Sequence, residues 1–168
     1  KVTGGAAFVQ DMRPPGMLHG RVVRPPRYGS TLASVDDAAV KATPGVVAVV
    51  RDGSFLGVIA EREEIAVGAR EALAKNAKWN LGPELPDPDR IFEHLKSLPS
   101  RDQVIGVKEG PLLAGGRMFQ STYTRPYTSH ASIGPSCALA ELRDGKLSVW
   151  THSQGVFPLR AELAKALK

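Results

Sequence analysis

Cysteine is almost absent: Cys137 stands alone among 168 residues. A single thiol excludes an internal disulfide framework and any cysteine-rich metal or iron–sulfur centre built from this chain. Its neighbours Ala138-Leu139-Ala140 are apolar, so a buried structural thiol is expected. No apolar run approaches the roughly 20 residues that a membrane span needs. The chain has no G-x-S-x-G nucleophile turn, no P-loop and no C-x-x-C. His19, His94, His130 and His152 lack metal-ligand spacing, and each reads first as a solvated or structurally hydrogen-bonded residue. Ser153 has no partner arrangement that would make it a nucleophile. No signal-peptide pattern is read in these residues, and the first residue is Lys1 rather than methionine. The expectation is therefore that the native start was removed or lies upstream.

What remains is ordinary soluble-protein material. Hydrophobic residues make up 42% and charged residues 23%, enough for one compact domain or a small domain plus part of another. Net charge is +5, and residues 1–35 carry Lys1, Arg13, Arg21, Arg24 and Arg27 against Asp11 alone. These cations are scattered among Pro and Gly. They form no basic helix and no aromatic-interleaved basic strand, so nucleic acid is not an expected partner.

The hydrophobic pattern predicts an α+β fold. Met17–Arg24 reads as a strand between Pro14-Pro15-Gly16 and Pro25-Pro26. Thr31–Val35 is a second strand, and Asp36 or Asp37 caps a brief helix that Pro44-Gly45 ends. Val46–Arg51 and Phe55–Ala60 are predicted as buried strands around the Asp52-Gly53 turn. A helix follows from Arg62 to Lys78, with Ile65, Ala69 and Leu73 facing inward, and Trp79 closes the unit. Prolines 83, 86, 88 and 99 mark an ordered linker with a helix at Asp89–Lys96. Arg117–Tyr123 is predicted as a strand. Cys137–Leu142 and Lys146–Thr151 flank Asp144-Gly145, which suits the positive φ of a type I′ hairpin turn. A last helix starts near Pro158 and runs to Leu167. A helix after a hairpin normally leads into an element that covers the sheet, so the stop at Lys168 predicts truncation.

Two polar stretches border that hairpin. Ser129–Cys137 enters its first strand, and Thr151-His152-Ser153-Gln154-Gly155 leaves its second, just before the helix. Such positions can hold a polar or anionic ligand, because backbone N–H groups point there. They can equally be loop and cap chemistry, and the residues alone leave both readings open.

Two blocks carry a resemblance. Lys1-Val2-Thr3-Gly4-Gly5-Ala6-Ala7-Phe8-Val9-Gln10-Asp11, Pro15–Pro26, Pro44–Val49 and Gly57–Glu61 resemble the α/β "hammerhead" domain of xanthine dehydrogenases and aldehyde oxidases. Tyr123–His130 through Val149–Gly155 resembles the first strands of the molybdopterin-binding domain in the same large subunits, in particular those of the isoquinoline oxidoreductase and nicotinate dehydrogenase-like bacterial branch. The resemblance implies a hammerhead-like domain over residues 1–80, a Pro-rich ordered linker over 81–112, and a truncated start of the molybdopterin-binding domain, its first hairpin and helix, over 113–168.

It also implies a parent oxidoreductase that hydroxylates aldehydes or N-heteroaromatic compounds with oxygen from water. Its molybdenum-molybdopterin would be bound by the parent, not by these residues alone. The implied partners are the remainder of the large subunit, an iron–sulfur small subunit or domain and a small-molecule substrate. Gln154 and Gly155 match a stretch whose glutamine sits beside the metal and hydrogen-bonds an oxygen ligand. A neutral amide can do so without placing charge there. No complete catalytic set is expected, since the family's Gly-rich loop and its general-base glutamate lie beyond Lys168. Many relatives carry Met-Glu-Pro where this chain has Ile133-Gly134-Pro135, so that glutamate's role is missing here. Truncation would leave the hairpin with an edge or face meant for absent segments and prone to strand pairing. The rival expectation is a non-enzymatic interaction or assembly module. The compartment, cytoplasmic or periplasmic, stays open.

Overall fold

The computed structural model of the chain describes residues 4–5, 8–106, 110, 115–132 and 134–167. Lys1-Val2-Thr3, Ala6-Ala7 and Ile133, quoted above, lie outside them, as does Lys168. Helix and strand are mixed, as an α+β chain requires.

Alternation and turn chemistry build the first sheet. β1 (His19–Val22), β3 (Val46–Asp52) and β4 (Phe55–Ala60) are antiparallel neighbours in the order β1-β4-β3. Gly53, with φ of 54°, allows the tight return from β3 to β4. β4 is central, so its inward residues vanish from solvent: Leu56, Val58 and Ala60 are at most 1% exposed. β3 corrects the expectation of a buried strand. It is an edge strand, with Val47 and Val50 exposed and only Val46, Ala48 and Val49 half-buried. A β-branched run reports strand propensity but not which side of the sheet lacks a neighbour.

α2 (Glu63–Asn76) lies against β1 and β4. Glu63 and Glu64 in its first turn and Lys75 in its last complement the helix dipole. Ala69 and Leu73 are buried as the periodicity predicts, and so is Ala66, while Ile65 is half-buried. Ile65 instead covers Gly45: a Cβ there would sit 2.6 Å from its Cδ1. Val23, Leu32, Val40, Leu56, Val58, Ala69 and Leu73 form the core. Each fully buried Leu or Val contributes about 1.5–3 kcal/mol over leaving it in water.

The predicted helix through Lys78 stops early. Ala77–Asn80 forms β5, paired antiparallel with β2 (Thr31–Val35), with Leu32 opposite Trp79 and Val35 opposite Ala77. Ladder bonds to β2 replace the next helical turn, a tertiary override of local preference. α1 (Ala38–Lys41) is shorter than predicted, with the Asp36 carboxylate accepting from Ala38 N–H at 3.3 Å.

Beyond Asn80, Ser30 Oγ accepts from Gly82 N–H at 3.0 Å. Only glycine fits at 82, because a Cβ would lie 2.0 Å from the Tyr28 carbonyl oxygen. The Pro-rich stretch carries a 3-10 turn at Pro88–Arg90, capped by Asp87, running into α3 (Ile91–Ser97). Arg117–Tyr123 is not a strand: it has no regular structure and is fully exposed, Met118 at 89% and Tyr123 at 91%. A strand needs a ladder partner, and none pairs with this segment among the described residues.

β6 (Ala138–Arg143) and β7 (Lys146–Thr151) form the predicted hairpin in register from Ala138↔Thr151 to Arg143↔Lys146. Asp144 (φ 51°) and Gly145 (φ 72°) are the paired left-handed residues that a type I′ turn demands. α4 (Val156–Ala166) begins two residues before Pro158, which still falls in the first turn, where its missing N–H costs nothing.

Candidate functional site

The hairpin register puts the two polar stretches at one end. Ala138 pairs with Thr151, so the segment entering β6 and the segment leaving β7 start side by side. Thr151 Oγ1 donates to the Cys137 carbonyl at 3.1 Å and fastens them. Cys137 is half-buried rather than buried, because this end of the two-stranded sheet is covered on part of its surface only.

Past β7 the local hydrogen bonds are made by residues other than Gln154. Ser153 Oγ accepts from Gly155 N–H at 3.0 Å. The Gly155 carbonyl accepts from Leu159 N–H at 3.1 Å and opens α4. Gly155 is the N-cap residue and has no side chain to offer the first-turn amides. Gln154 sits between these bonded neighbours, exposed, and its amide has no hydrogen-bond partner among the described residues. The local bonding that a loop glutamine could supply is therefore done by Ser153.

The other polar stretch is held lightly. Ala131, at φ of 48°, donates its N–H to Ser129 Oγ at 3.0 Å. His130 and His152 are exposed, His19 and His94 half-buried, and each lies on a different element. No group of three His, Cys, Asp or Glu side chains is placed to hold a metal among the described residues.

The sequence flanking this end is one-sided in charge. From Gly110 to Ala140, and again from Gly145 to Ala161, it has no Asp or Glu, while Arg117, Arg125 and Arg160 are present; Lys146 belongs to the far, turn end of the hairpin. Glu141 and Asp144 lie along the hairpin toward its turn. Beside Ser153, an open apolar groove of about 530 Å³ runs between β7 and α4, lined by Val149, Val156, Leu159 and Leu163. This donor set suits a neutral or anionic polar group held without protein ligation, and not a metal ion bound directly by side chains.

No family model matches the chain. Among curated proteins, a subunit of the nicotinate dehydrogenase of Pseudomonas putida is 40% identical over 175 residues, covering 98% of this chain and 15% of that protein. The aldehyde oxidoreductase molybdenum-binding subunit PaoC of Escherichia coli is 24% identical, covering all of this chain and 27% of that protein. A membrane-bound aldehyde dehydrogenase (pyrroloquinoline-quinone) of Gluconacetobacter polyoxogenes is 29% identical, with 100% and 23% covered. The chain thus spans 15% to 27% of the length of these relatives. No helix among the described residues is long and apolar enough to cross a membrane.

Proposed function

The chain belongs to the xanthine dehydrogenase/aldehyde oxidase family of molybdenum-binding subunits, and from that premise we propose that it serves in a subunit that hydroxylates an aldehyde or an N-heteroaromatic compound. The division into a hammerhead-like domain (1–80), a linker (81–112) and the opening of a molybdopterin-binding domain (113–168) is part of the proposal. So is the partnership with the rest of the large subunit and with an iron–sulfur domain or subunit. When bound, the pterin-held molybdenum would supply the two-electron oxidation of the substrate, with oxygen taken from water.

The residues present fit such a group in kind. Gln154 offers a neutral, exposed amide without a competing partner among the described residues, on a stretch free of carboxylates. Its amide donates a hydrogen bond that orients a polar ligand and adds no charge beside it. The backbone N–H of Gly155, the other residue singled out by the resemblance, is already given to Ser153. Gly155 contributes by fixing the break between β7 and α4, and Gln154 by donating. Alone, these residues are proposed to be inactive.

The observation that carries the reading is the free amide of Gln154 at the hairpin end. A second reading, an interaction or assembly module, is favoured by the exposed apolar residues Met118, Phe119, Tyr123, Tyr127 and Phe157. The quinone named for the Gluconacetobacter relative adds a rival cofactor. Purifying the full-length gene product and measuring molybdenum and pyrroloquinoline quinone together separates these. Near-stoichiometric molybdenum, with ¹⁸O from water in the product, is expected. A folded, metal-free protein holding quinone, or holding neither, would contradict the proposal.

A further inference from the structure

The front of the chain reaches the hairpin end. Residues 8–18 are pinned into a bent strap by their own bonds. Phe8 N–H donates to the Asp11 carboxylate, and the Arg13 guanidinium donates to the carbonyls of Gln10 and Met12. The strap continues as Pro14–Leu18 along one side of the hairpin and shares an open groove of about 500 Å³ with Leu139, Glu141 and Trp150. At its near end lies Gln10, half-buried, its side-chain amide without a hydrogen-bond partner among the described residues.

Gln10 meets the loop that enters β6 at Gly134. A Cβ built on Gly134 would lie 3.0 Å from Gln10 Nε2, with the rest of the amide within 4 Å. The φ of Gly134 is not left-handed, so its backbone does not demand glycine. The Gln10 amide occupies the space into which a side chain at 134 would extend, and one of the two would have to shift by a few tenths of an ångström.

We propose that Gln10 is a positioning residue for this loop, its amide standing in for a side chain at 134. It thereby ties the strap to the hairpin end from which Gln154 emerges. The physical logic is a relay of contacts. Gly134 lies four residues before β6, Cys137 is bonded to Thr151, and Thr151 is three residues before Gln154. Loss of the Gln10 amide leaves a void beside Gly134 and frees the loop. Gln10 acts through this loop and touches no reacting group. Its link to the site rests on the proposed function; the contact itself does not.

Two arms test it in the full-length protein, in a Cys137→Ser background so that no other thiol of these 168 residues competes. In the first, Gln10→Cys with Gly134→Cys is treated with a short homobifunctional methanethiosulfonate, whose spacer replaces the length of the glutamine side chain that a direct disulfide would not span, and the cross-link is sought by mass spectrometry. A bridged pair is expected; two singly modified thiols in the folded protein would overturn the contact. In the second, turnover is compared in molybdenum-loaded enzyme. Gln10→Ala should lower kcat with KM nearly unchanged, by less than the roughly 10- to 100-fold typical of losing a group that bonds a metal's ligand directly. Gly134→Gln added to Gln10→Ala should restore most of it by refilling the space from the other side. Wild-type kcat in Gln10→Ala, or no rescue in the double variant, would overturn the positioning role even if the cross-link forms. If the wild-type protein hydroxylates nothing, the proposed function fails, and the cross-link still decides the contact.

Discussion

The region from His19 to Asn80 and the region from Gly115 to Leu167 are similar in length and opposite in construction. Every buried hydrophobic residue among those described, from Val23 to Leu73, lies in the first. The second has none, although it carries a well-registered hairpin and an eleven-residue helix. Leu159 and Leu163 are only half-buried, while Phe157 is 81% exposed. The first region is held by its core. The second is held by local bonds, a turn and a helix, each worth little against the entropy of ordering. The candidate site sits on the region that has no buried hydrophobic residue among those described, where local opening should cost least.

The largest effect should come from the core of the first region. Leu73→Ala removes a fully buried side chain and should cost about 2–5 kcal/mol in urea unfolding of the chain. Leu163→Ala, half-buried on α4, should cost less than about 1.5 kcal/mol. Equal costs would erase the contrast between the regions. Next in size is Gly82→Ala. Its Cβ cannot coexist with the Tyr28 carbonyl, so the contact must open, at about 1–3 kcal/mol. Hydrogen exchange sharpens the comparison residue by residue: amides of β4 and α2 should be protected by about two orders of magnitude more than those of β6, β7 and α4. Similar protection across both regions would show that the second has a core of its own. The smallest effect is electrostatic. Glu63→Gln breaks the partly exposed pair with Arg21 and should shift stability by less than about 1 kcal/mol, vanishing in high salt.

The same contrast governs what can be read from the sequence. β2, β4 and the hairpin turn are legible because their signals are local: alternation, an apolar run and Asp144-Gly145. The departures all involve a partner. The residues of β3 predict a buried strand, but its position at the sheet edge depends on which strand flanks β4. Local preference makes Lys78 helical, but pairing of Ala77–Asn80 with β2 decides otherwise. Arg117–Tyr123 has strand-like residues and no ladder partner among those described. At the site, the polar residues are visible as types, and Gln154 through resemblance. That Ser153 does the local bonding and leaves Gln154 free is geometry. Gln10 gives no signal at all, since nothing in its neighbourhood announces a contact with Gly134 far along the chain.

The most direct measurement is turnover of a Gln154→Ala full-length enzyme, checked to be folded and loaded with molybdenum. Little stability change is expected, because the exposed amide makes no hydrogen bond among the described residues. Turnover should fall about 10- to 1,000-fold, the range for deleting one oriented donor beside a metal's ligands or a developing charge. Wild-type turnover in that folded, loaded variant would contradict the placement of Gln154 at the cofactor.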